Sequence, residues 1–148
     1  MEENNIRIRS EIPDEDKWAI EDLYATDEAW EADLKLLEQA GDALAAFAGK
    51  LSESAATLLA YLTEMEQTNA KAELLGNYCM RKADEDTRNP VYQAMRGKFM
   101  GVAVAMGAAR SFETPEVMAI SDETLERFYA ECPALERYRR ALTNERRM

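Results

Sequence analysis

Residues 52–110 read SESAATLLAYLTEMEQTNAKAELLGNYCMRKADEDTRNPVYQAMRGKFMGVAVAMGAAR. Leu58, Leu62, Met65, Ala72, Leu75 and Cys79 recur at three- and four-residue steps, the spacing of one helix face. Asn69 interrupts the stripe. It is expected at the edge of the seam as a tolerated polar group, the alternative being a ligand-reading residue inside a bundle. Ser52 or Ser54 can cap this helix, which is expected to reach about Asp84. The run DEDTRNP then breaks it, and Asn89 with Pro90 supplies a cap and first position for a second helix expected to end near Phe112. On that second helix Val91, Met95, Val102, Met106 and Ala109 are assigned to the core side. Gly97, Gly101 and Gly107 each cost about 1 kcal/mol of helix propensity relative to alanine, so close packing against another helix should compensate. A short break between two long helices folds them back on each other as an antiparallel pair.

Toward the N-terminus, Thr26 precedes Asp27 and Glu28, a cap followed by acids suited to the positive end of a helix. Trp30, Leu34 and Leu37 give that helix its buried stripe to about residue 40. Gly41 is assigned as a left-handed stop, with a shorter helix over residues 42–47 ended near Gly49. Upstream, Trp18, Ile20, Leu23 and Tyr24 form a compact apolar group suited to docking on a larger body. Residues 1–12, with Ile6, Ile8 and Ile12, are read as a flexible or extended arm. Toward the C-terminus, Thr114 and Pro115 open a short helix, Ser121 or Asp122 caps one that buries Leu125, Phe128 and Tyr129, and Pro133 starts a last one with Leu135, Tyr138 and Leu142. No stretch alternates apolar and polar residues long enough to argue a strand. The expectation is an all-α fold, a multi-helix bundle of about six or seven helices with two long antiparallel helices, in a single domain over residues 1–148.

Composition narrows the partners. The 148 residues carry a formal net charge of −11, with 47% hydrophobic and 32% charged residues, the balance of a folded globular chain. Twelve Asp or Glu stand against two Lys over residues 11–42, so the acidity is local. Such a charge repels nucleic acid and anionic membranes. The C-terminal arginines 137, 139, 140, 146 and 147 have no interleaved stacking aromatics and suit helix C-termini. The longest strongly apolar uncharged run, residues 99–109, is far shorter than the ~20 residues of a membrane span. Cys79 and Cys132 lack metal or redox spacing and are assigned as core thiols, although a disulfide between them stays open. The polar start MEENNIRIRS shows no secretory leader, and a cytoplasmic location is expected.

The chemistry that is missing is equally informative. The sequence has no histidine, which removes the commonest general base, the usual zinc ligand and every Ser-His or Cys-His arrangement. There is no phosphate-binding glycine loop, and the carboxylates of Asp84, Glu85 and Asp86 are adjacent and lack the spacing of a calcium loop. No catalytic, metal-binding or cofactor-binding residue is assigned in this chain.

Three stretches, in order, resemble the oligoendopeptidase F family of zinc metallopeptidases, relatives of thimet oligopeptidase. They are KWAIEDLYATDEAWEADL at residues 17–34, DEDTRNPVYQAM at 84–95 and SFETPEVMAISDETLERF at 111–128. With the helices between them the resemblance spans about residues 11–142 and is to the N-terminal domain. It implies a zinc-dependent parent peptidase, hydrolysing short peptides through a His-Glu-x-x-His helix and a further Glu far downstream. It also implies that this region is a non-catalytic helical lobe walling a deep substrate cleft. The chain would then be a truncated piece, a proteolytic fragment or a free-standing remnant, and its partner the remainder of the parent chain. Trp18, Leu23 and Tyr24 match the family's N-terminal pattern. They are candidates for the contact with that remainder, or equally for closing this domain's own core. The alternative function is a stand-alone acidic helical interaction module. A severed domain should show an exposed apolar patch, through which it could form a homodimer, whereas an independent module should hide its core.

Overall fold

The computed structural model describes residue 7 and residues 9–146. The expected arm over residues 1–12 therefore lies mostly outside the described residues, as does Arg147. Three long helices carry the fold: α1, Asp27–Ala45, α2, Ala55–Glu85, and α3, Pro90–Ala109. They are followed by α4, Glu113–Ala119, α5, Asp122–Glu131, a 3-10 stretch over Pro133–Tyr138, and α6, Arg139–Glu145. Among the described residues there is no strand, so the fold is all-α as expected.

Four of the expected helix starts are closed by a side-chain oxygen. Thr26 accepts from the Ala29 N–H at 3.2 Å, Ser54 from Thr57 at 3.0 Å, Asn89 from Val91 at 3.0 Å and Ser121 from Thr124 at 3.1 Å. These bonds satisfy N–H groups that the helix itself leaves free. The α2–α3 pair is antiparallel. Arg110 at the end of α3 reaches Asn69, Phe99 lies on Gly76, and Gln93 reaches the Ala83 carbonyl.

α1, α2 and α3 pack pairwise into a three-helix layer, and α4, α5 and α6 gather with the 3-10 stretch around the N-terminal half of α2. The core runs continuously through both parts, from Trp30, Leu34 and Leu37 through Leu58, Tyr61 and Leu75 to Phe128, Leu135 and Leu142. Trp30 is fully buried, and its indole N–H donates to the Leu75 carbonyl at 2.9 Å, which satisfies the one polar group this side chain brings inside.

Gly41 is not a stop. α1 runs through it to Ala45, so the two helices expected on either side of it are one, which lowers the helix count. Gly41 is there for space: a Cβ at that position would lie 3.0 Å from the Met106 sulfur of α3. The left-handed glycine is Gly49, with φ of 79°, in the loop between α1 and α2. Glu116 of α4 holds that loop, accepting from the backbone N–H groups of Gly49 and of Leu51, the latter at 3.2 Å. Val91, assigned to the core side of α3, is exposed instead.

Candidate interaction surface

The acidic N-terminal half of α1 is bound to α2 by two ion-pair networks. Asp27 accepts from the Tyr78 hydroxyl at 2.8 Å and from the Lys82 ammonium. One turn and a half further on, Asp33 accepts from the Tyr24 hydroxyl at 3.0 Å and from Lys71 at 3.2 Å. Partial burial acts to raise the Asp27 carboxyl, but the bonds from Lys82 and Tyr78 outweigh it and the group titrates below its ordinary range. Lys82 is likewise desolvated, yet its bonds to Asp27 and Tyr78 prevail and hold it above its ordinary value. These charges fasten helix to helix and are not held in reserve for a ligand.

Other candidates are similarly engaged. Asp84, Glu85 and Asp86 pair separately with Arg81, Arg9 and Arg88, so they do not converge on one point. Among the described residues, no group of three His, Cys, Asp or Glu is placed to hold a metal ion. Both cysteines are free, and burial pushes the Cys79 thiol up to about 11, far from the range of a reactive thiolate. Asn69 lies at the exposed edge of the α2–α3 seam, where its side-chain oxygen accepts from Arg110 at 3.0 Å.

The C-terminal arginines are largely spent within the fold. Arg137 meets Glu66 at 2.6 Å, Arg139 forks onto Glu126 and Glu136 and covers the Tyr129 ring, and Arg146 meets Asp122 at 2.5 Å. Of the four described members of the cluster, Arg140 alone has no such partner.

Trp18, Leu23 and Tyr24 fall in different environments. Leu23 and Tyr24 are half-buried against the core, and the Tyr24 ring stands edge-on to Tyr78 at 5.4 Å. Trp18 is 65% exposed, with the Arg81 guanidinium 5.2 Å from its ring centroid. Ile20 is the residue of this group that is fully inserted into the core.

The larger apolar surface is the outer face of α3. This helix has no acidic residue and is apolar almost all round, a pattern that normally marks a helix covered on every side. Here Met95, Val102 and Met106 are buried against α1 and α2, while Met100 and Val104 stand exposed, Val104 at 70%. Gly97, Gly101 and Gly107 face open space, with nothing within 4 Å of a Cβ built on any of them. Among the described residues, the close helix approach that their cost called for is not made. Among the described residues, no helix is long and apolar enough to cross a membrane, so α3 is not a bilayer span.

No family model matches the chain. Oligopeptidase PepF of Bacillus subtilis (strain 168) is 30% identical to it over 139 residues, which are 94% of this chain and 21% of that protein. The plasmid oligoendopeptidase F of Lactococcus lactis subsp. cremoris is 31% identical over 137 residues, 88% of this chain and 22% of its own length. A crystal structure of a Chlamydophila abortus protein described as a peptidase superposes with a TM-score of 0.79 at 25% identity, over 95% of this chain and 24% of that one. The chain thus spans about one fifth of the length of the curated relatives it matches.

Proposed function

We propose that this chain, which belongs to the oligoendopeptidase F family and matches about a fifth of the length of its relatives, is a non-catalytic helical lobe of a zinc-dependent peptidase. The observation that carries this reading is the extent of the match: nearly all of this chain corresponds to a small part of proteins named as oligopeptidases. The lobe contributes shape, a rigid three-helix layer helping to wall a cleft that admits short peptides.

The residues present do not fit a zinc site. With no histidine in the sequence and no convergent group of three possible ligands among the described residues, no zinc-dependent step can be routed through these side chains. Metal binding and water activation belong to the remainder of the parent chain in this reading. Trp18 is the contact offered to that remainder, a large exposed aromatic, while Leu23 and Tyr24 are half-buried against this domain's own core. Two free thiols suit a reducing compartment such as the cytoplasm. The internal pairing of Arg137, Arg139 and Arg146 leaves the basic end of the chain little free charge for a separate partner, which weighs against the stand-alone module.

The test exchanges the matched stretch of Bacillus subtilis PepF for this chain and measures cleavage of an internally quenched peptide. Zinc-dependent cleavage should persist in the exchanged protein and disappear when the stretch is deleted. A folded exchanged protein that is no more active than the deletion would contradict the reading.

A further inference from the structure

We infer that residues 9–18 form a releasable strap over the C-terminal end of α2, and that Arg9 is the clasp that closes it and so fixes the position of Trp18. The strap stands independently of the peptidase reading; only what Trp18 is offered to rests on that reading.

The strap is braced from within. Its two 3-10 turns, Arg9–Glu11 and Asp14–Asp16, are closed by bonds between near neighbours. The Ile12 N–H donates to the Arg9 carbonyl at 3.2 Å, Asp16 to Pro13 at 3.0 Å and Lys17 to Asp14 at 3.1 Å. The Lys17 ammonium adds an ion pair with the Asp14 carboxylate at 2.8 Å, and the Pro13 ring fixes one backbone torsion between the turns. These contacts give the segment a shape without fastening it to the helices.

Apolar burial does little to fasten it either. Neither 3-10 turn has a buried residue, and among the described residues Ile20 is the first side chain to enter the core. Beneath the strap lies a cavity of about 330 Å³, lined in part by Ile12, Trp18, Arg81 and Glu85, so the segment does not lie flush on α2. A stretch with so little buried surface opens locally at low free energy unless specific bonds hold it.

Arg9 supplies such bonds. One guanidinium nitrogen donates to the carboxylate of Glu85, the last residue of α2, and the other donates to the Trp18 carbonyl at 3.2 Å. The same carbonyl accepts from the Ile20 N–H at 2.9 Å, so Arg9 ties the start of the strap to the point where the chain turns into the core. With that carbonyl held, the Trp18 ring stays beside Arg81 of α2, 5.2 Å from its guanidinium. A planar guanidinium serves two acceptors at once, whereas an ammonium is a point charge without that fork. Arg9 is thus a positioning residue for Trp18.

Nitrogen-15 relaxation of the chain and its variants tests this, with helicity checked by circular dichroism. In the unaltered chain the amides of residues 10–18 should have order parameters near the roughly 0.85 of rigid backbone, and in Arg9→Gln they should fall below about 0.6. Arg9→Lys, which loses the fork, and Glu85→Gln, which keeps an acceptor but loses the charge, should each fall between. Both partners are partly exposed, so the helices should keep their order in every variant. The Trp18 indole signal should shift in Arg9→Gln, while that of the fully buried Trp30 stays in place. A strap already mobile in the unaltered chain, or still rigid in Arg9→Gln, would overturn the proposal. So would a loss of order that spreads through α1 and α2, full rescue by Arg9→Lys, or a Trp18 signal indifferent to Arg9→Gln.

Discussion

The seam between α1 and α2 and the outer face of α3 are built from similar helices and reach opposite states. At the seam, Trp30 is fully buried with its N–H satisfied, and Asp27 and Asp33 are each bound by a lysine and a tyrosine. On α3, three glycines and an exposed Met–Val pair await a neighbour. The difference shows that a helix can satisfy every backbone bond and still leave its packing unfinished. Substitutions on the two sides should therefore differ in size and in sign.

The largest effect is expected from Trp30→Ala, which empties a fully buried site and removes the indole N–H that the Leu75 carbonyl accepts. It should lower unfolding stability by about 3–5 kcal/mol in urea titration. A loss under about 1 kcal/mol would mean the seam is far looser than its burial implies.

The sharpest contrast comes from one substitution made on each side. Gly76→Ala places a Cβ about 2.9 Å from the Phe99 ring and should destabilise by about 1–3 kcal/mol. Gly101→Ala meets nothing within 4 Å and should stabilise by up to about 1 kcal/mol through helix propensity and a less flexible unfolded chain. Two effects of the same sign would break the comparison.

Asp27 gives a smaller, pH-dependent effect. Because its folded pKa lies below the unfolded value of 3.8, its contribution is present above that value and is lost as pH falls through the folded one. Lys82, raised above 10.5, contributes below that value and loses its contribution as pH rises through the folded one. Asp27→Asn should flatten the acid limb of a stability-against-pH curve by no more than about 1 kcal/mol, the pair being partly solvent-screened. The smallest effect is expected from Trp18→Ala, within about 0.5 kcal/mol, since that ring is 65% exposed. A large loss there would return Trp18 to the core and remove it as a docking residue.

Much of this architecture was legible in the sequence where a signal has one structural meaning. Thr26, Ser54, Asn89 and Ser121 announced four helix starts because a hydroxyl or amide before an apolar-periodic run has little else to do. Glycine is ambiguous: Gly41 carries the same letter as a helix stop, and only the approach of Met106 explains it as a packing residue. α3 defeated periodicity in a different way. An all-round apolar helix has no preferred side, so Val91 could be assigned to the core although it faces outward. The grouping of Trp18, Leu23 and Tyr24 was legible as an apolar cluster, but the division between one exposed ring and two half-buried side chains depends on where α2 passes. The grip of Glu116 on the loop at Gly49 had no sequence signal, since 67 residues separate the partners.

The central claim is that this chain brings a helical surface and no chemistry of its own. The most direct measurement is cleavage of an internally quenched peptide by the purified chain alone, with and without added zinc, over prolonged incubation. The account predicts no turnover above buffer in either condition. Turnover that co-purifies with the chain and is abolished by a single substitution within it would contradict the account.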